Sequence, residues 1–158
     1  MIVVLLATLD TVFLPSYTLA AQQNLTFAGT VGLRRYCQIV LTNNGVLTQS
    51  ADLMELSSTQ AGGSAGIAEI TKGRGGYKVS VDAPTGFTTM PADGDTGVTF
   101  SATYSTTGAT TLSERTAGSR PRRVRRGLTT LAANFTASRT GSTFPAGNYS
   151  AAITVRCE

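Results

Sequence analysis

The chain has 158 residues and a net charge of +4, with 41% hydrophobic and 14% charged residues, so it is long enough for one folded domain and too apolar to be disordered. It contains no histidine, which removes the commonest general base and the commonest metal ligand in proteins. Six of its thirteen cations lie between Glu114 and Gly127, so the basic charge is concentrated in one segment. We therefore expect a protein that is not an enzyme and holds no cofactor or metal.

Residues 1–21 have the pattern of a secretory signal peptide. An apolar run follows the first methionine, and Ala20 and Ala21 are small residues that suit cleavage. The pattern is irregular, because no basic residue precedes the run and Asp10 and Pro15 interrupt it. The alternative is the first strand of a cytosolic protein. No stretch has the ~20 apolar residues of a membrane-spanning helix. We predict export to the periplasm, the cell surface or the medium.

After the leader, residues 22–158 alternate between apolar and polar or small residues in many short segments. Alternation with a period of two predicts strands with one buried face. Turn signals rich in glycine and proline separate the segments, and no apolar residues recur at helical spacing. The sequence therefore predicts one all-β domain of seven or eight short strands, a sandwich or a barrel. The segments are residues 25–41, 51–58, 67–70, 77–82, 98–104, 131–137 and 149–157.

The chain contains two cysteines, Cys37 and Cys157. In its predicted strand, each cysteine is an even number of residues away from the apolar positions. Both side chains should therefore point into the core. In an oxidising compartment they would form a disulfide, whereas in the cytosol they would be two free buried thiols. A disulfide would require the first and last strands to be neighbours.

Three segments, taken in order, resemble a known family. The first strand contains Cys37-Gln38-Ile39, a middle strand runs from Tyr77 to Pro84, and Phe144-Pro145-Ala146-Gly147-Asn148-Tyr149 leads a final alternating strand. This order covers most of residues 25–158. It resembles the pilin-type subunits of bacterial chaperone–usher fibres, and in particular the spore-coat-U-like secreted proteins.

The resemblance implies a single immunoglobulin-like, pilin-type sandwich of about seven short strands, in which a missing last strand leaves a groove open. It also implies a subunit of a fimbrial or coat-like surface assembly, with no catalytic residues. Its partners would be a periplasmic chaperone, an usher and neighbouring subunits, which add a strand to the sheet in a homo- or hetero-polymer. Between the predicted leader and the predicted first strand there are only residues 22–24. That segment is too short to act as a donor strand. Two alternatives therefore remain: a complete sandwich that needs no added strand, and a terminal subunit that accepts a donor strand but offers none.

The cation-rich segment between Ser119 and Gly127 is a candidate anion contact, for instance with a polysaccharide or the anionic cell envelope. We do not expect nucleic acid, because the segment has no aromatic residues for base stacking. The alternative is a solvated loop. This segment supports a second function, a free-standing secreted module that recognises a surface or anionic ligand through its loops. Its candidate contacts are Arg120, Arg122, Arg123, Arg125 and Arg126.

Two other patterns are weaker. The stretch from Asp93 to Gly97 could begin a calcium loop, but it lacks the later acidic ligand that such loops use, so we expect a glycine-rich turn. The stretch from Gly73 to Gly76 resembles a phosphate loop, but it leads into a strand and lacks the lysine ending. We assign no catalytic or metal site.

Overall fold

The structure, a computed structural model, describes residues 35–158, and the predicted all-β, sandwich-like fold is confirmed there. The predicted leader, residues 1–21, and most of the predicted first strand lie outside the described residues. Within residues 35–158 there is no long apolar helix of the kind that crosses a bilayer. The ten strands are β1 (Cys37–Asn43), β2 (Thr48–Gln49), β3 (Glu55–Ser57), β4 (Gly66–Lys72), β5 (Lys78–Asp82), β6 (Val98–Gly108), β7 (Leu112–Thr116), β8 (Arg122–Arg123), β9 (Gly127–Arg139) and β10 (Thr154–Cys157).

The larger sheet has seven strands arranged around β9, its longest strand. On one side β9 pairs antiparallel with β4 and then with β3, and on the other side with β6 along almost its whole length. Strand β1 is the edge beyond β4, and β7 is the edge beyond β6. Alternate residues of β9 are buried, as the period of two requires. The sequence alternation therefore places one face of this sheet on the core.

The smaller sheet has three strands in the order β10, β5, β8. Its central strand β5 places Val79 and Val81 on the larger sheet, where both are almost completely buried. They pack with Ile70, Tyr104 and Leu131 of the larger sheet to form the main core. Both sheets thus cover a shared apolar layer, which is the arrangement of a β-sandwich.

A second part of the core is aromatic. Phe87 lies at its centre, with ring centroids 5.0 Å from Phe100 and 5.0 Å from Tyr149, both edge to face. Phe144 lies 5.4 Å from Tyr149, and the Tyr149 hydroxyl donates a hydrogen bond of 2.7 Å to the carbonyl of Pro145. This contact closes the turn that leads into the last strand, so the segment that carries the sequence resemblance is held by its own aromatic packing.

The structure has more strands than the seven or eight that the alternation suggested. The additional strands are β2, β7 and β8: β2 and β8 have only two residues each, and β7 is too polar to show an apolar period. Strand β8 lies inside the arginine-rich segment, for which we considered a loop. The last strand is shorter than expected, because ladder pairing with β5 begins only at Thr154.

Candidate functional site

The edges β1 and β10 belong to different sheets and are joined at one end. Cys37 begins β1 and Cys157 ends β10, and the two form a disulfide with a Cα–Cα distance of 6.2 Å. Both cysteines are partly buried against the main core. The predicted pairing and the predicted neighbourhood of the first and last strands are thus present. The disulfide holds the two sheets together at one end of this seam.

Away from the disulfide the same seam contains an apolar groove of about 310 Å³. Leu41, four residues after Cys37, lies on one wall, and Ile153 and Val155 lie on the other. Leu41 alternates in step with Cys37 and Ile39, so its side chain is on the core-facing side of β1, yet 64% of it is exposed. A leucine that points toward the core but remains exposed shows that residues 35–158 do not close the sandwich over this position.

The floor of the groove is formed by β4 and β9. Small residues occupy much of it, including Gly66, Ala68 and Ala133, while Leu131 and Phe135 supply the larger apolar surface. Because the floor residues are small, the groove is deep enough to accept side chains from above. The register of β1 with β4 shifts between Leu41 and Asn43, so the ladder is irregular beside the groove, and antiparallel pairing continues to Val46 and Ser64.

Both walls of the groove offer backbone groups for pairing. Among residues 35–158, β1 pairs only with β4 and β10 pairs only with β5. Each strand therefore has a row of N–H and C=O groups directed away from its own sheet. Val40 and Leu41 are both exposed on β1, and that part of the strand carries no charge. A strand of this kind is a template for another extended segment.

The cation-rich segment is at the opposite edge of the smaller sheet. Arg122 and Arg123 form β8 and pair with Val79 and Lys78, while Arg125 and Arg126 continue toward β9. All four arginines are exposed, whereas Val124 between them is 1% exposed and packs into the main core. Arg120 is exposed before β8 and lines neither of the cavities in this region. The structure thus separates Arg120 from the other candidate contacts.

The topology adds cations that the sequence analysis did not select. Strand β4 ends and β5 begins at this end of the sandwich, which brings Lys72 and Lys78 beside the arginines. Arg35 and Arg74 form an isolated bridge close by. Two cavities, of about 550 and 500 Å³, lie here and are lined with cations and no carboxylate. Only the antiparallel register reveals this grouping, because residues 72 and 123 are distant in the sequence.

Few side chains elsewhere have chemistry of note. The Ser50 hydroxyl donates a hydrogen bond of 2.5 Å to the Asp52 carboxylate, and this bond, with a second from the Met54 backbone, lowers the pKa of Asp52. Burial raises the pKa of the Tyr149 phenol. Asp93 has a φ of 59° in a turn before β6. No group of three or more His, Cys, Asp or Glu in residues 35–158 is arranged to hold a metal.

No protein-family model matches the chain, and no curated protein matches it either. The function therefore has to be inferred from the groove, the disulfide and the basic end. The resemblance to pilin-type and spore-coat-U-like subunits stays a prediction from sequence.

Proposed function

We propose that the chain is an extracytoplasmic structural subunit of a fimbrial or coat-like surface assembly, and that it joins its neighbours by β-strand complementation. The observation that carries the proposal is Leu41, which has inward parity on an edge strand and remains 64% exposed above an apolar groove. An added strand would cover Leu41 and satisfy the free backbone groups of β1 at once.

The disulfide supports the extracytoplasmic part of the proposal. Disulfides persist in oxidising compartments and are rare in the cytosol. The Cys37–Cys157 bond closes a loop whose ends are 120 residues apart, and the leader pattern at residues 1–21 agrees with export. The compartment we propose is the periplasm or the cell surface, where a chaperone, an usher or neighbouring subunits would be the partners.

The occupant we propose is an extended segment of a second copy. Residues 25–33 precede the described part of the chain and alternate strictly, with Leu25, Phe27, Val31 and Leu33 on one parity. Such a segment presents apolar side chains to one side at spacings of about two residues, which suits pockets along a groove. Strand β1 begins at Cys37, so residues 25–33 precede the strand that forms the groove wall.

The experiment is to export the chain to an oxidising compartment and measure its oligomeric state by light scattering. A double variant, Phe27→Asp with Val31→Asp, places charge on the apolar parity of the segment. The matched control, Thr26→Asp with Thr30→Asp, places the same charge on the other parity. We expect polymers from the wild type and from the control, and monomers from the first variant.

Two results would overturn the proposal. The wild type could be a monomer whose stability falls in the Phe27→Asp/Val31→Asp variant, which would place residues 25–33 in the groove of their own chain. Alternatively, both double variants could polymerise like the wild type, which would mean that residues 25–33 take no part in assembly. A Leu41→Asp variant tests the groove side and should also be monomeric while keeping its disulfide.

A further inference from the structure

A buried lysine lies at the basic end of the sandwich. Lys72 is the last residue of β4 and follows the inward-facing Ala68 and Ile70, and only 7% of it is exposed. The one ion pair within residues 35–158 joins Arg156 to Asp82, so the Lys72 ammonium has no carboxylate partner there. An anion bound beside Lys72 would supply the counter-ion that residues 35–158 do not.

Lys72 lines a cavity of about 500 Å³ whose charged residues are all cations. The others are Arg123, Arg125 and Arg126. Gly75 and Gly76 form one side of the cavity and leave it accessible. Gly75 has a φ of +120°, and a Cβ there would come within 2.8 Å of the Tyr77 ring, so the conformation of this rim requires glycine.

A second cavity, of about 550 Å³, lies on the other side of β8. It shares Arg123 and Arg125 with the first and adds Lys78 and Arg122. Its far wall is the turn between β6 and β7, where the Thr110 hydroxyl accepts a hydrogen bond of 2.7 Å from the Arg125 backbone N–H. The two cavities adjoin at Arg123 and Arg125, and together we call them the basic track; its threonine hydroxyls belong to the second cavity.

We propose that this basic track binds an anionic polysaccharide, a chain that carries sulfate or carboxylate groups on successive sugar rings. Guanidinium groups bind such oxyanions with paired hydrogen bonds, and threonine hydroxyls suit the hydroxyls of sugars. Two adjacent cavities that share arginines fit a ligand with repeated charges. This activity goes beyond assembly through the groove and does not depend on it.

Other polyanions fit the track less well. Single-stranded nucleic acid is usually held by aromatic side chains that stack on the bases, and no aromatic residue lines either cavity. A DNA duplex or a bilayer presents a broad surface, whereas these cations surround two open recesses on either side of the short strand β8. A single flexible polysaccharide chain is narrow enough to enter both.

Protection of the sheet edge does not account for the whole cluster. Charged residues on an edge strand prevent unwanted pairing, and Arg122 and Arg123 on β8 have that effect. However, Lys78 and Arg123 are directly opposite each other, and like charges in that position are unfavourable. Lys72 is buried behind the edge and protects nothing. A bound anion would offset the repulsion between Lys78 and Arg123 and would lie next to Lys72.

The test is calorimetric binding of two probes, a sulfated heparin oligosaccharide and an oligogalacturonate, at low salt. Arg123→Ser removes a cation shared by both cavities, and Arg120→Ser removes an exposed cation of the same segment that lines neither. We expect Arg123→Ser to weaken binding about tenfold or more, as loss of a charge-assisted hydrogen bond does. Arg120→Ser should change binding by no more than about twofold. Stronger binding of one probe identifies whether sulfate or carboxylate is preferred.

Lys72→Met separates a binding role from a structural one. Lys72 is 7% exposed and forms no ion pair within residues 35–158, so replacing it by an apolar residue of similar length should leave the urea midpoint nearly unchanged. Binding should nevertheless fall by about tenfold or more. If Lys72→Met destabilised the protein and left binding intact, Lys72 would be structural and the proposal would be wrong.

Further outcomes would overturn the proposal. One is an equal loss of binding in Arg120→Ser and Arg123→Ser, which would mean attraction by overall charge. Another is tighter binding of an oligo-dT strand or of anionic phospholipid vesicles than of either oligosaccharide. The Phe27→Asp/Val31→Asp variant should bind the oligosaccharides like the wild type, so failure of assembly and failure of polysaccharide binding are measured separately.

Discussion

The two edges of the smaller sheet, β10 and β8, differ in their charge and in what lies beside them. At one side, β10 faces β1 across an apolar groove, with Leu41 exposed and no charge at residues 39–43. At the other side, β8 is two residues long, and both residues are arginine. At the first side the seven-residue strand β1 and the four-residue strand β10 are open to pairing within residues 35–158, whereas at the second side the edge is short and charged.

This contrast indicates where the molecule pairs and where it does not. An exposed apolar edge promotes aggregation unless it has a partner, so an edge that is kept open is expected to have one. The charged edge needs none for solubility and leaves its cations available to a small anionic ligand. The disulfide lies at the closed end of the groove seam and fixes the distance between the groove walls.

The largest predicted effect comes from removing the disulfide. The variant Cys37→Ala with Cys157→Ala should lose about 4 to 5 kcal/mol of unfolding free energy, because the bond closes a loop with a sequence separation of 120 in the unfolded chain. Urea unfolding measures the change, and reduced wild-type protein is the control that should match the variant. An unchanged midpoint on reduction would show that the bond does not constrain the unfolded state.

The next effect compares one apolar residue from each edge region, the buried Val124 and the exposed Leu41. Val124→Ala should cost about 2 kcal/mol, because Val124 is 1% exposed and anchors the basic segment in the core. Leu41→Ala should cost less than about 0.5 kcal/mol in the monomer, because Leu41 is mostly exposed. Urea unfolding of the two variants is sufficient. A larger loss in Leu41→Ala would mean that the groove is covered.

Adding a charge to the open edge, or removing one from the charged edge, should change self-association and have little effect on the unfolding free energy. Leu41→Lys places a charge on the open edge and should reduce self-association, whereas Arg122→Val should increase it at the opposite edge. Each change should alter the unfolding free energy by less than about 0.5 kcal/mol. Sedimentation velocity at several concentrations measures the association. If Arg122→Val remained as monomeric as a Thr116→Val control, the charge on β8 would not be protective.

The smallest effect is acid sensitivity at Asp52, in the turn before β3. Its pKa in the folded protein is below the ordinary value of 3.8, chiefly because of the Ser50 hydroxyl. A carboxyl group whose pKa is lowered by folding stabilises the protein at pH values above its pKa in the unfolded chain. That stabilisation is lost as the pH falls through its pKa in the folded protein. Asp52→Asn should therefore remove a small part of the acid destabilisation, measured as urea midpoints at decreasing pH. The exposed Asp95→Asn variant is the control.

The sandwich could be predicted because several strands alternate clearly. Val79 and Val81 of β5, and the parity of Cys37 and Cys157, were enough to place these residues inward. The ends of β6 and β9 were underestimated, since threonine, serine and alanine dominate there and give little contrast between faces. Ser57, the last residue of β3, is buried, and its hydroxyl is hydrogen-bonded to the Thr136 hydroxyl at 2.7 Å. A buried polar pair of this kind gives no apolar signal.

The candidate sites could be predicted only in part. The arginine-rich segment is evident in the sequence, but its exposed strand β8 and the buried Val124 are not. Lys72 belongs to the basic end only through the register of β4 with β9. The groove lies between edge strands of two different sheets. In the sequence, Leu41 has the pattern of a core-facing strand residue, and its exposure is evident only in the structure. Sequence patterns report periods within a strand, whereas both sites depend on pairing between strands.

The position of the disulfide has a mechanical consequence. A tensile force applied to the chain before Cys37 and to Glu158 would pass directly through the covalent bond between Cys37 and Cys157. Nearly the whole domain would then lie outside the path of the load, so the sheets would not unravel when the molecule is pulled. In a filament under tension, each subunit would behave as a short inextensible link until a reductant opened the bond.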